Sequence, residues 1–387
     1  MQLTIVLPIH CSRQAKNSLI ETIRQYTGSY NRCCEAGWEM KRINGVDLHH
    51  ETYYKEKDYT DLPAQLICSA RAKATESLKS ARTKLRKGEK ASLPRCRTHQ
   101  SIRYDANSCT IWFDRKEATL STVKGRVKVR LTIPKYYENR LGWKVCSADL
   151  CVHRDKRPYL HVVVQWDEPT PEITQYCGID FGVCRPAVTS DNQFYGERSW
   201  TRTSNKIYKL REALKAKGTD SAKRHLKRLG SRENRFRRDC DHVVSKRLVQ
   251  QHPQGTCFVV EDLTGINRRV KVRREQRHVR HSWSFARLKF FLEYKARLRG
   301  GALVSVDPRY TSRKCSVCGH ISKKNRLAQS DFCCEACGYQ LNADLNAARN
   351  IRSNYLVGRG MPLTNGVDVN HPIVSSPHKP LPKGRGS

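Results

Sequence analysis

Acidic residues are scarce in this chain of 387 residues. Asp and Glu number 36 against 73 Lys and Arg, which gives a formal net charge of +37. An excess of this size is larger than solubility requires, and it repels itself unless a polyanion is bound. We therefore expect nucleic acid as the partner, held over a large interface.

Long apolar runs are also missing. No segment approaches the length of a membrane-spanning helix, and no lipidation motif is visible, so we expect no membrane partner. Nothing at the N-terminus resembles a signal peptide. The 17 cysteines are scattered along a long chain, unlike the framework of a small secreted domain. These features predict a reducing, cytoplasmic location.

The first part of the chain alternates between helical and strand-like patterns. A strand-like run at 3–9 is followed by helical spacing at about 16–42 and 64–86. Short alternating segments over 101–166 predict an antiparallel barrel that the opening strand joins, with the helices inserted in it. A Pro-containing stretch at 167–171 predicts a linker.

The pattern becomes α/β after this linker. Apolar strands are predicted at 176–179, 257–260 and 302–306, with a basic helical segment at 206–251 and a final helix to about Asn354. The length favours two or three domains. We expect a disordered basic tail at 357–387, where Pro and Gly are frequent.

Four cysteines have the spacing of a metal site. Cys315, Cys318, Cys334 and Cys337 form a C-x2-C-x15-C-x2-C pattern, which predicts a structural four-thiolate Zn²⁺ site with no open position. A C-x14-C-x3-C register that uses Cys333 in place of Cys334 remains possible.

Carboxylates at the ends of buried elements form a second candidate site. Asp180 and Glu261 end apolar strands, and Asp344 begins the helix after the cysteines. Three such carboxylates could hold two divalent metals about 4 Å apart and split phosphodiesters. Hard oxygen ligands suit Mg²⁺, and Mn²⁺ should substitute. Spacing alone does not distinguish Glu261 from Asp262.

The order of these motifs resembles the TnpB family of RNA-guided nucleases, which insertion sequences encode. The resemblance rests on Gly-Ile-Asp-Phe-Gly at 178–182, Val-Glu-Asp-Leu at 260–263, the segment 306–319 and Asn-Ala-Asp-Leu-Asn-Ala-Ala-Arg-Asn at 342–350. It covers about 176–351, and the N-terminal half matches in layout only.

The resemblance implies a multidomain α/β architecture. It implies a wedge-type β-barrel at 1–9 and 88–168, a helical recognition lobe at 10–87, a RuvC-like (RNase H-like) nuclease domain at 169–310 and 340–356, and a zinc ribbon at 311–339. It also assigns the catalytic, metal-binding role to Asp180, Glu261 and Asp344.

The resemblance further implies a guide RNA and cleavage of double-stranded target DNA next to a short motif, in a prokaryotic cytoplasm with nucleoid association on DNA. The alternatives are a miniature type V CRISPR effector and a nuclease-inactive guided binder that represses transcription. A transposase is disfavoured because no tyrosine- or serine-recombinase signature is visible.

Basic segments are the candidate nucleic-acid surfaces. Residues 202–247 carry sixteen Lys and Arg against five acidic residues, which favours contact with RNA or a heteroduplex over a solvated helical face. The basic loop at 268–274 follows the Glu261 strand directly. We expect it to be a mobile lid that orders on substrate.

Overall fold

A computed structural model describes residues 1–40, 44–153, 157–167, 171–182, 185–264, 285–326, 328 and 330–360. The chain separates into two compact units, 1–167 and 168–387. In the described residues, no helix is long and apolar enough to cross a membrane. The expected lid at 268–274 and the expected tail beyond residue 360 lie outside the described residues.

Unit 1 contains one antiparallel sheet of seven strands, in the order β2-β6-β7-β1-β5-β4-β3, which curls into a nearly closed barrel. The opening strand lies in this sheet, between β7 and β5. The strands are β1 (Gln2–His10), β2 (Ile102–Tyr104), β3 (Cys109–Trp112), β4 (Glu117–Thr122), β5 (Gly125–Leu131), β6 (Lys144–Val152) and β7 (Pro158–Gln165).

Three helices connect β1 to β2: α1 (Arg13–Glu39), α2 (Gly45–Tyr59) and α3 (Ala64–Arg86). The inward face of β1, with Ile5 and Leu7, shares a core with Leu19 and Ile23 of α1. Sequence analysis missed α2 because only Leu48, Thr52 and Glu56 are buried on it. Two of these three are polar, so the apolar period that marks a helix is absent.

Unit 2 contains a mixed sheet of five strands, in the order β10-β9-β8-β11-β12. Strands β8, β11 and β12 are parallel, whereas β9 and β10 continue the sheet in antiparallel fashion. Their bounds are β8 (Gln175–Asp180), β9 (Ala187–Thr189), β10 (Phe194–Tyr195), β11 (Thr256–Glu261) and β12 (Ala302–Val306).

The described helices of unit 2 are α4 (Arg198–Lys217), α5 (Asp220–Gln251), α6 (Phe285–Arg297) and α7 (Ala343–Gly358). The basic helical segment predicted at 206–251 consists of two helices. Gly218 adopts a left-handed conformation with φ of 63° and ends α4, and the Thr219 side chain accepts from Ala222 N to start α5.

The last helix is longer than expected. Helix α7 continues through Gly358, so the prediction that residues 357 and 358 belong to a disordered tail is wrong. Two further short strands, β13 (Asp331–Cys333) and β14 (Gln340–Asn342), pair directly before α7.

Helix α7 crosses β8 at very close range. A Cβ atom placed on Gly178 would lie 2.1 Å from Ala348 O and 2.7 Å from Arg352 N. Both atoms belong to the backbone of α7, which cannot yield as a flexible side chain would. Gly178 therefore sets the distance between the helix and the strand.

We expect Gly178→Ala to destabilise unit 2 by about 2–4 kcal/mol, because α7 must move away from β8. Gly230→Ala is the matched control, since Gly230 lies inside α5 with no heavy atom within 4 Å of the added Cβ. That change should stabilise the helix by about 0.5–1 kcal/mol. Denaturant unfolding of both variants measures the contrast, and equal midpoints would contradict this account of Gly178.

Candidate functional site

Asp180 and Glu261 lie at the same edge of the unit 2 sheet. Strands β8 and β11 are parallel neighbours in which Ile179 pairs with Val260. Asp180 and Glu261 are the next residues and the last of their strands. Parallel strands end at one edge, which is where α/β sheets present ligand-binding side chains.

Asp344 approaches from α7. It lies in the first turn of this helix, and its backbone N–H donates to the Asn342 side chain, 3.0 Å away, which caps the helix. A carboxylate is favourable in this first turn because of the helix dipole. Arg326 forms an ion pair with it, with Nη2 3.8 Å from Asp344 Oδ1.

All three carboxyl groups have raised pKa values, and the charges of two of them act on the third. Burial, followed by the negative charges of Glu261 and Asp344, raises the pKa of Asp180 to about 8, and Arg326 opposes this rise. Burial also raises the pKa of Glu261 and of Asp344. Close, poorly solvated carboxylates hold protons unless a cation replaces them, so this edge of the sheet has the electrostatics of a cation site.

The spacing of the acids limits what they can bind. The carboxylate oxygens of Asp180, Glu261 and Asp344 do not all lie within 4.8 Å of one another. Among the described residues, two other groups of side chains do have their ligand atoms within this distance. One ion held by all three is therefore a poor fit. Two ions about 4 Å apart can be held by carboxylates that are farther from one another, because each ion binds its own oxygens at about 2.1 Å.

The structure shows which of Glu261 and Asp262 lies beside Asp180, a choice that residue spacing alone left open. Asp262 is exposed, and it accepts hydrogen bonds from the backbone N and the hydroxyl of Thr264. Glu261 is half-buried, and its charge raises the pKa of Asp180. Glu261 is thus the acid that faces Asp180.

The four cysteines form a compact cluster. The Sγ atoms of Cys315 and Cys337 are 3.8 Å apart, and those of Cys318 and Cys334 are 3.6 Å apart. Four sulfurs around one Zn²⁺ at 2.3 Å are separated by about 3.8 Å in a tetrahedron. The cluster can therefore bind zinc, and it contains Cys334 rather than Cys333.

Local backbone geometry explains this register. Gly319 N donates to Cys315 O and Gly338 N donates to Cys334 O, and both glycines have positive φ, near 76° and 71°. Each Cys-x-x-Cys-Gly segment is thus a tight turn that points two sulfurs the same way. Cys333 lies outside the second turn, as the last residue of β13.

Buried polar residues attach the cysteine cluster to α7. Asn346 donates from Nδ2 to Lys314 O at 2.8 Å and accepts from Ser316 N at 3.0 Å. Asn350, one turn later, donates to Thr311 O and Lys314 O. Sequence analysis quoted these asparagines only as part of a motif and did not assign this role. Their spacing of four in a helix was the available signal.

A second group that could hold a metal ion contains Cys177, Asp191 and His252. Its members already contact one another: Cys177 Sγ is 3.4 Å from His252 Nε2, which is 3.3 Å from Asp191 Oδ2. The other ring nitrogen faces Leu248 O at 2.6 Å. Sequence analysis did not find this group because its members are separated along the chain.

One face of α5 is densely basic. Arg224, Arg228, Arg232 and Arg235 are exposed at spacings of three and four, which places them on one side of the helix. They line a cavity of about 420 Å³ between α4 and α5. Nearby Glu233 is buried in ion pairs with Arg211 and Arg237, so its charge is already matched. This face suits a phosphate backbone.

Family models match two parts of the chain. Residues 159–270 match the OrfB_IS605 family, described as a probable transposase, and residues 285–351 match the TNB domain of Cas12f1-like proteins. The first range contains Asp180 and Glu261, and the second contains the four cysteines and Asp344.

Curated relatives match about half of the chain. A putative RNA-guided DNA endonuclease, InsQ of Escherichia coli K12, is 33% identical over 216 residues, 50% of this chain and 52% of the relative. Cas12f1 of Sulfoacidibacillus thermotolerans, a CRISPR-associated endodeoxyribonuclease, is 32% identical over 53% of this chain and 52% of its own length. The chain spans about half the length of the curated relatives it matches.

Solved structures extend the likeness to the fold. The chain matches the cryo-EM structure of a Cas12f1–sgRNA–target DNA complex with a TM-score of 0.61 at 15% identity, over 88% of this chain and 83% of that one. The mini-RNA-guided endonuclease CRISPR-Cas_phi3 gives a TM-score of 0.52 at 10% identity, over 94% and 93%.

The chain therefore shares its overall fold with these two solved structures. The sequence comparisons are more specific. A TnpB-like protein of Methanocaldococcus jannaschii, 31% identical over 33% of this chain and 45% of its own length, is among the relatives. Together with the OrfB_IS605 match, it confirms the resemblance to TnpB.

Proposed function

We propose that this protein is an RNA-guided DNA endonuclease of the TnpB type. It hydrolyses phosphodiesters of double-stranded target DNA next to a short motif, with a RuvC-like (RNase H-like) domain at 169–310 and 340–356. The observation that carries this proposal is that Asp180, Glu261 and Asp344 come together at one edge of the sheet. There the negative charges of Glu261 and Asp344 raise the pKa of Asp180.

Each acidic residue has a defined task in this proposal. Asp180 and Glu261 present oxygens from the rigid ends of β8 and β11, and Asp344 presents its own from the capped first turn of α7. These oxygens are the hard ligands that Mg²⁺ or Mn²⁺ prefers. When bound, the ions supply an activated water and charge stabilisation at the leaving oxygen. The basic face of α5 holds nucleic-acid backbone.

The remaining regions follow the layout of the family. We propose that the barrel at 1–9 and 88–168 is of the wedge type and that 10–87 forms the recognition lobe. The cysteine cluster at 311–339 is a structural zinc ribbon. Sequence specificity then lies in guide pairing, while the protein reads the adjacent motif and the duplex shape.

Binding of divalent metal should depend on pH in a defined direction. The pKa of Asp180 is raised to about 8 in the metal-free fold, so a metal ion must displace its proton below that pH. We expect Mn²⁺ affinity to fall by about tenfold for each pH unit below 8. Calorimetric titrations between pH 6 and 8.5 measure it, with proton release on binding. An affinity that stays constant over this range would contradict the assignment.

The proposed activity is tested by purifying the protein and sequencing any bound RNA, followed by incubation with a plasmid library in Mg²⁺. We expect one RNA species, and cuts only where a plasmid matches its guide segment beside a fixed motif. Cleavage independent of RNA would overturn the guided mechanism. Guided binding without cleavage would instead support the repressor alternative. A guide encoded in a CRISPR array would favour the miniature effector.

A further inference from the structure

Thr311 connects the two candidate metal centres. Its side chain is buried, with 2% of the residue exposed, although it lies at the start of the cysteine-rich segment. The hydroxyl Oγ1 is 2.5 Å from Glu261 Oε1 and 3.0 Å from Pro308 O. A hydroxyl has one proton to donate, and a carboxylate is the stronger of these two acceptors.

The backbone of Thr311 is itself held by α7. Its carbonyl accepts from Asn350 Nδ2 at 2.9 Å, and the same amide donates to Lys314 O at 2.6 Å. Asn350 is 1% exposed. A continuous set of hydrogen bonds therefore runs from the Glu261 carboxylate through Thr311 to the helix whose first turn carries Asp344.

We propose that Thr311 is a positioning residue for the metal site: it fixes the Glu261 carboxylate and ties it to the helix that carries Asp344. This inference rests on the proposed function, since it takes Glu261 and Asp344 as metal ligands. Glu261 and Asp344 come from separate elements, and nothing in β11 or α7 alone sets the distance between them. Gly178 determines how closely α7 packs on β8, the neighbour of β11. The Thr311–Asn350 bridge adds a direct link from α7 to the Glu261 carboxylate itself, and the cysteine cluster anchors the bridge.

The chemistry of ligand support gives the expected size of the effect. Carboxylates that bind metals are oriented by hydrogen bonds from a surrounding shell, and loss of such a bond lowers metal affinity by about 10–100-fold. Thr311→Val keeps the shape of the side chain and removes the donor. Thr311→Ser keeps the donor. Comparison of these two variants distinguishes the effect of the hydrogen bond from the effect of side-chain packing.

The experiment measures Mn²⁺ binding to the full chain by electron paramagnetic resonance titration, which does not require cleavage. Thr311→Val should weaken Mn²⁺ binding by about tenfold or more, while Thr311→Ser stays close to the wild type. Zinc content should stay at one ion per chain in both variants. If T311V loses its zinc, Thr311→Ala replaces it, because the smaller side chain cannot clash. Thr311→Ala should also weaken Mn²⁺ binding by about tenfold or more.

Cleavage kinetics provide a second readout. In the guide-loaded complex, Thr311→Val should raise the Mg²⁺ concentration for half-maximal cleavage and leave the rate at saturating Mg²⁺ nearly unchanged. Wild-type Mn²⁺ affinity in both the Val and Ala variants would overturn the positioning role, and so would a wild-type protein that binds no Mn²⁺. If the wild type and Thr311→Ser bind Mn²⁺ more tightly than Thr311→Val but the wild type never cuts DNA, the nuclease proposal is overturned and the positioning role of Thr311 stands.

Discussion

Asp180→Asn is expected to abolish cleavage of target DNA, with a loss of about a thousandfold or more. The substitution keeps the shape of the side chain but removes the charge that a divalent ion requires. Metal ions contribute several kcal/mol to phosphodiester hydrolysis, and each 1.4 kcal/mol is a factor of ten in rate. Single-turnover cleavage of labelled DNA in Mg²⁺ measures the loss.

The same variant should be more stable than the wild type without metal. The pKa of Asp180 is raised to about 8 in the folded protein, whereas a carboxyl in an unfolded chain titrates near 3.9. Ionisation therefore destabilises the fold increasingly as the pH rises from about 4 to 8. An Asn side chain cannot ionise, so the melting temperature of the variant, measured at pH 8 in buffer without Mg²⁺ or Mn²⁺ and without chelator, should exceed that of the wild type.

Two exposed acids provide matched controls. Asp262→Asn alters the neighbour of Glu261, and Asp307→Asn alters a carboxylate just past the end of β12 that accepts from Arg309 N. Both variants should cleave within about twofold of the wild type, because both carboxylates are exposed and neither is a proposed metal ligand. Binding of RNA and DNA by D180N should also be retained. If D180N loses nucleic-acid binding, the side chain has a folding role instead.

Removal of the metal from the cysteine cluster should have the largest structural effect. The segment 311–339 has only a small apolar core, with Phe332 as its one large fully buried side chain among the described residues. Zinc contributes about 10–16 kcal/mol to the folding of comparable peptides. Chelation should therefore unfold this segment, and proteolysis should then cut between 311 and 339.

Unfolding of the segment 311–339 should also disturb the acidic site. Asn346 and Asn350 bind the backbone of 311–316 from α7, so an unfolded ribbon removes the partners of two buried amides. Unpartnered buried amides cost about 1–3 kcal/mol each, which weakens α7 and the placement of Asp344. We expect cleavage to fall together with zinc content.

Adjacent cysteines test this assignment without chelators. Cys334→Ser should lose the zinc and become sensitive to protease at 311–339. Cys333→Ser should retain both metal and resistance, because Cys333 lies in β13, outside the four-sulfur cluster. Atomic emission of the purified variants gives the zinc content. Loss of zinc in Cys333→Ser with retention in Cys334→Ser would favour the alternative register.

The sequence was sufficient to identify residues that belong to local patterns. Asp180 and Glu261 each end an apolar strand, and the Cys-x-x-Cys pairs are complete motifs, so both are visible without tertiary information. The choice of Glu261 over Asp262 needed the resemblance or the structure. Neighbouring strand residues face opposite sides, and the sequence alone does not say which side meets Asp180.

Features that depend on distant contacts could not be predicted. Helix α2 has little apolar period of its own, and Thr311 acquires its role from Glu261, fifty residues earlier. Gly178 lay inside the strand predicted at 176–179 with no assigned role, yet the close approach of the α7 backbone requires a glycine there. By contrast, Gly218 followed by Thr219 was a readable helix break that the strong basic pattern obscured.

The central claim is that Asp180, Glu261 and Asp344 jointly hold divalent ions. Crystals of the protein grown with Mn²⁺ and measured at the manganese absorption edge test it most directly. We predict anomalous density bonded to carboxylate oxygens of all three residues, and its loss in D180N. Manganese bound elsewhere, with these three side chains free of metal while the protein cleaves DNA, would contradict the account.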